Sequence, residues 1–148
     1  MAKTADRLNE RLVASLQGEK IVQLITMDKD TNLPNLSAVS WLLADPSGKT
    51  VNIAMGPKAA SVENIRHNPH VVLGFFADGS YYALSGTASV SDTFERTMKL
   101  CVVTVEAEAV EDAIFYGGQV TVEPAYIKTY NPELAKKLDE EVYELLRQ

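Results

Sequence analysis

AMGPKAASVENIRHNPHV, residues 54–71, is the stretch on which the fold of this chain turns. It leaves an apolar run at Ala54-Met55, turns at Gly56-Pro57, and then places Val62 and Ile65 on one face of a short helical pattern. Pro57 falls at a first-turn position, where the N–H that proline lacks would have gone unpaired anyway. Asn68-Pro69 closes the helix, because a residue before proline is pushed out of helical backbone geometry. A new apolar run starts at Val71. The order is strand, turn with one lysine (Lys58), helix, strand.

Working back from this stretch, residues 51–55 (VNIAM) read as a strand that returns from a tight turn at 45–49 (DPSGK). The run 36–44 (LSAVSWLLA) is the strand before it. It is joined through the polar turn 28–34 (DKDTNLP) to a first strand at 21–27. Ahead of these, Leu8, Leu12 and Leu16 recur every four residues among charged neighbours, which predicts a helix over 5–16 ended by Gly18.

Working forward, residues 71–77 are almost wholly apolar, and Asp78-Gly79 is a hairpin signal. YYALSGTASV, residues 81–90, forms the returning strand, with Gly86 marking a bulge. Ser91-Asp92 predicts the cap of a short helix through Leu100. Val103, Val105, Ala107 and Ala109 then alternate with polar residues, the pattern of a half-buried strand. A last short strand is expected at 119–122. Asn131-Pro132 opens a terminal helix with Leu134, Leu138, Val142 and Leu145 on one stripe.

No repeat or linker composition interrupts the chain, so one domain is expected over residues 1–148. At that length folding buries roughly 70% of the unfolded surface, enough to dispense with disulfides or a structural metal. Mainly antiparallel strands with helices at the ends and one between them predict a barrel, since closure removes exposed sheet edges.

The formal net charge of −6 disfavours nucleic acid, whose binding draws on clustered Lys and Arg, and disfavours an anionic membrane surface likewise. Residues 1–17 lack the apolar core of a signal peptide, and no later stretch is long enough to span a bilayer. Cys101, the single cysteine, fits a reducing compartment, so a cytoplasmic location is expected.

Several local patterns have plain explanations. Gly48-Lys49-Thr50 resembles the end of a phosphate-binding loop, but Leu43 stands where its first glycine belongs, leaving a hairpin turn. His67 and His70 have no ligand set around them, and no metal site is expected. Cys101 reads as a small core residue rather than a nucleophile, and Trp41 as core before ligand contact.

Asn64-Ile65 followed by Asn68-Pro69-His70-Val71, behind a strand end and a lysine, resembles the pyridoxamine 5′-phosphate oxidase-like, FMN-binding split-barrel family. Pro34 before the second strand and Ser85-Gly86-Thr87-Ala88 extend the likeness over residues 19–90. The resemblance implies an antiparallel split β-barrel with N-terminal, connecting and C-terminal helices. It implies FMN as cofactor and a homodimer with the site between subunits. By position it assigns flavin contacts to Ser37, Ala38, Val39 and Ser40, to Ala54 and Met55, and to Tyr81.

The chain departs from the family at the phosphate. Where relatives carry an arginine and a lysine ahead of Asn-Ile, it has Ala60 and Ser61, leaving Lys58, the Ser61 hydroxyl and the N–H groups of the short helix as donors. Two lost charge-assisted bonds, at about 1.5–3 kcal/mol each, would weaken phosphate binding by about two to four powers of ten. Two readings stand: an FMN-binding oxidoreductase-like protein, its small-molecule substrate undefined and its catalytic residues unassigned, or a non-catalytic binding or sensor module that has lost or weakened FMN binding. With no basic cluster near the C-terminus, the resemblance does not extend to pyridoxine chemistry.

Overall fold

A computed structural model describes residues 4–148. Nine strands and three helices follow in the order β1 (Thr4–Ala5), α1 (Glu10–Ser15), β2 (Val22–Met27), β3 (Pro34–Val39), β4 (Leu42–Ala44) and β5 (Thr50–Met55). Next come α2 (Ala60–His67), β6 (His70–Ala77), β7 (Ser80–Val90), β8 (Phe94–Glu95), β9 (Lys99–Asp112) and α3 (Pro132–Leu146). The strands join antiparallel in the order β3-β2-β6-β7-β9-β5-β4, with β1 and β8 each pairing β9. The sheet curls on itself as a split barrel.

The alternation of β2 explains the curl. Val22, Leu24 and Thr26 are fully buried while the residues between them are half-exposed, so one face of the sheet closes on the core. Leu73 and Phe75 of β6, Leu84 of β7, and Val103 and Val105 of β9 meet them there. Residues 99–112 form one long strand that pairs with both β7 and β5, and this links the two halves of the sheet. The register shifts at Ser85/Gly86, where the glycine signalled a bulge.

A second apolar cluster lies outside the barrel wall. Leu43, Ala54 and Leu100 pack there against Val142, Leu145 and Leu146 of α3. Each such buried aliphatic side chain contributes about 1.5–3 kcal/mol by leaving water, which suffices to dock a terminal helix. Asn131 caps α3 as its sequence predicts, its Oδ1 accepting from Glu133 N at 2.8 Å and Leu134 N at 3.1 Å.

Tertiary contacts overrule the local pattern at five places. The first helix shortens to Glu10–Ser15, because Asn9 caps it (2.9 Å to Leu12 N) and Thr4–Ala5 pair with β9 instead. The expected strand 36–44 divides at Ser40-Trp41, where Leu42 N bonds back to Ser40 O at 3.0 Å; β3 stays on β2 and β4 crosses to β5. Residues 91–100 form no helix: β8 folds onto the start of β9, and Glu141 of α3 grips the hairpin tip at Thr97 N and Oγ1 (2.8 and 2.6 Å). Residues 119–122 make a single backbone bond, Val120 N to Gly79 O at 2.7 Å, and no ladder. Pro57 precedes α2, inside the turn closed by Ala59 N to Gly56 O at 3.0 Å.

His67 and His70 are exposed and Cys101 is buried. Among the described residues no group of His, Cys, Asp and Glu is arranged to hold a metal, and no helix is long and apolar enough to cross a membrane.

Candidate functional site

Strand β3 lies at the edge of the sheet, and the sequence-assigned positions fall on both of its sides. Ser37 faces inward, toward α2, and its hydroxyl lies 3.1 Å from that of Ser61. Helix α2 is seated by Asn64, almost fully buried, whose Nδ2 donates to Thr26 Oγ1 (3.0 Å) and whose Oδ1 accepts from Lys29 N (3.0 Å). That anchor aims the start of α2 at β3. Its N-cap is Ala59, which has no side chain to satisfy the first N–H groups. Val62 N turns back to Ala59 O at 3.0 Å, so the N–H groups of Ala60 and Ser61 are the donors left to the first turn of α2, together with the partial positive charge that favours an anion. Lys58 and Ala60 beside it are exposed, and Lys58 makes no ion pair within 4.0 Å among the described residues.

Ala38 lies on the other side of β3, on the outward face of the sheet. It is directly across from Gln23 of β2, which in turn is opposite Gly74 of β6. The Tyr81 hydroxyl reaches across and donates to Gln23 Oε1 at 2.9 Å. Glycine at 74 makes this possible, since a Cβ there would sit 2.1 Å from the Tyr81 oxygen. Burial raises the Tyr81 pKa above its ordinary 10.0, so the hydroxyl stays a donor into the alkaline range.

Beyond Gln23 the outward face ends in an open recess of about 240 Å³, lined by Ile21, Ala38, Val39, Ser40 and Tyr126. Ile21 and Ala38 line it from the outward face, whereas Val39, in register with the buried Val22, packs against the main core and borders the recess only at the strand end. Of the remaining sequence-assigned positions, Ala54 packs beneath α3 in the outer cluster. Met55 is half-buried against the main core, its carbonyl accepting from Cys101 Sγ at 3.4 Å. The structure thus gathers Ala38, Val39 and Ser40 at the recess with Tyr81 nearby, sets Ser37 and Ser61 together at α2, and holds Ala54 and Met55 within packed layers.

Gln23 and Tyr126 escaped the sequence reading. Gln23 left a trace, a lone amide between the outward-facing Ile21 and Ile25. Tyr126 left none, because it comes from a segment outside every helix and strand. Trp41 contributes from the opposite side: its indole donates to Asp139 Oδ1 at 2.9 Å, tying the bend between β3 and β4 to α3.

A curled antiparallel sheet, an edge strand and a short helix aimed at it define the class of split-barrel proteins. Within that class the chain belongs to the pyridoxamine 5′-phosphate oxidase family, whose model matches residues 8–127. Solved structures agree on the fold. A protein named as a candidate pyridoxamine 5′-phosphate oxidase from Lactobacillus delbrueckii superposes with a TM-score of 0.60 at 19% identity, over 72% of this chain and 94% of that one. HupZ of Group A Streptococcus gives 0.60 at 15% identity, over 78% of this chain and 100% of that one. HutZ of Vibrio cholerae, described as a heme storage protein, gives 0.52 at 15% identity, over 69% and 91%. At these identities the likeness extends to the fold alone. No curated protein sequence matches the chain significantly.

Proposed function

We propose that the chain, as one cytoplasmic domain over residues 1–148, is an FMN-binding, oxidoreductase-like protein with its flavin at the edge of β3. The observation that carries this reading is the recess at Ile21, Ala38, Val39 and Ser40, beside the Gln23–Tyr81 pair and across β3 from the uncapped start of α2. A planar ring fits an aliphatic floor bordered by donors, and a phosphate fits the α2 N–H groups with the Ser37 and Ser61 hydroxyls and Lys58. When bound, FMN itself would supply the redox chemistry. The chain's own residues would bind it, orient it and keep water from its face.

The site calls for a second copy. A recess of about 240 Å³ falls short of the roughly 300–1,000 Å³ of ordinary ligand sites. Beside it, the outward sheet face carries Leu36, 66% exposed, with Ile25, Val72 and Phe76 half-buried. Unpaired apolar surface of this kind marks an interface, and a homodimer would cover it while completing the cleft.

One observation favours a second reading. Ala60 and Ser61 offer no cation, and the Ser61 hydroxyl is engaged by Ser37, which suits a binding or sensor module for a ligand other than FMN. The absorption spectrum of freshly purified protein, followed by titration with FMN, separates the two. A flavin spectrum, or quenching of added FMN, supports the first; colourless protein that leaves FMN fluorescence unchanged overturns it.

A further inference from the structure

After β9 the chain becomes a strap across the end of the sheet. Ala113 N donates to Tyr81 O and Val120 N to Gly79 O, both at 2.7 Å, and Glu123 pairs with Lys20 at 2.9 Å. The strap thereby travels from β7 past the β6–β7 hairpin to the start of β2, and it delivers Tyr126 to the recess beside Ile21, Ala38 and Ser40. The same residue borders a larger groove, about 900 Å³, between the strap and α3. Tyr126 is a wall common to both.

Its position is held by a network that reaches α3. The Tyr126 hydroxyl donates to Glu19 Oε2 at 3.0 Å. Glu19 Oε1 accepts from the Tyr143 hydroxyl at 3.0 Å and from Lys128 Nζ at 3.2 Å. Lys128 also bonds Asp139, the residue that receives the Trp41 indole. Glu19 adopts the left-handed backbone conformation, φ 56°, unusual for a residue with a side chain. A tyrosine needed only to fill space requires no such anchorage, since one carboxylate here holds three donors.

We propose that Tyr126 is a ligand-contacting residue, its ring stacking on a flat heteroaromatic ligand that lies over Ile21 and Ala38, and that Glu19 is its positioning residue. This rests on the flavin reading of the recess. An aliphatic floor under one aromatic wall is the arrangement that sandwiches a planar ring system, and stacking is worth most when the aromatic partner is already oriented.

The test is titration of FMN and of riboflavin into the full-length chain, read by flavin fluorescence and by the shift of the flavin absorption band. Tyr126→Ala is expected to weaken both flavins by roughly three- to tenfold and to relieve part of the quenching. Tyr126→Phe, which keeps the ring, retains the quenching, and Glu19→Gln weakens binding less than loss of the ring. Tyr126→Leu keeps apolar bulk without the π face and replaces the alanine variant if that one fails to fold. Alanine or leucine variants that bind and quench like wild type overturn the role of Tyr126 and leave the flavin reading standing. Wild-type protein that binds neither flavin overturns both.

Discussion

The hydroxyls of Ser37 and Ser61 lie 3.1 Å apart, joining the edge strand of the sheet to the first turn of α2. Ser61, with the exposed Ala60 beside it, stands at the two positions where the family resemblance implies cations. Ala60→Arg therefore adds a cation without disturbing the pair. One charge-assisted bond is worth about 1.5–3 kcal/mol, so FMN should bind roughly ten- to a hundredfold more tightly while riboflavin, which lacks the phosphate, is unaffected. Paired fluorescence titrations measure this, and an equal gain for both flavins would place the phosphate elsewhere.

Asn64 is 3% exposed and holds both Thr26 Oγ1 and Lys29 N. Asn64→Ala strands a buried hydroxyl and a backbone donor, and each unsatisfied group costs about 1–3 kcal/mol. Urea unfolding should show a loss of about 2–5 kcal/mol. A change below half a kilocalorie would mean that water replaces the amide.

Gly86 sits at the bulge in β7, where an added Cβ would lie 2.2 Å from the Glu106 carbonyl oxygen. That atom belongs to the neighbouring strand and cannot swing aside. Gly86→Ala should lower stability by about 1–3 kcal/mol, the range of overpacked cores. Thermal melting reads the effect, and an unchanged midpoint would show that the bulge relaxes freely.

Leu36, directly opposite Ile25 on the outward face, is 66% exposed. Leu36→Glu places a charge that a self-complementary interface cannot solvate. Light scattering at micromolar concentration should report a dimer for wild type and a monomer for the variant, with the same circular dichroism. A monomeric wild type would remove the shared cleft.

The Glu19 network sets an alkaline limit. Burial, then the Glu19 charge and hydrogen bond, raise Tyr143 above its ordinary 10.0. Burial alone would lower Lys128, but hydrogen bonds to Asp139 and Glu19 outweigh it and raise the pKa above 10.5. In both cases the folded chain keeps a proton that the unfolded chain releases, so their stabilisation is complete below about pH 10 and is lost as pH rises through the raised values. Denaturation midpoints should fall above pH 10, and Tyr143→Phe should flatten the decline. Equal slopes for wild type and variant would count against the coupling.

Much of the architecture was legible because its causes are local. The apolar run of β2, the alternation in β9, the Asp78-Gly79 hairpin, the Gly86 bulge and the Asn131 cap each depend on a few adjacent residues, and each appears in the structure. The predicted helix at 91–100 failed for the opposite reason. Its hairpin is held by Glu141, 44 residues away, and no local propensity reports such a contact.

The amino-acid order determined the barrel, the connecting helix and the family, since strand periodicity and the Asn-Pro stop act over neighbouring positions. Which side of β3 each site residue faces was settled only by folding. Ser37 and Ala38 are consecutive, yet one meets α2 and the other opens on the outward recess, because successive residues of a strand point to opposite faces and the sheet alone decides what lies on each. Tyr126 reaches that recess through Glu19, Lys128 and Asp139, brought together from distant parts of the chain by the burial of α3.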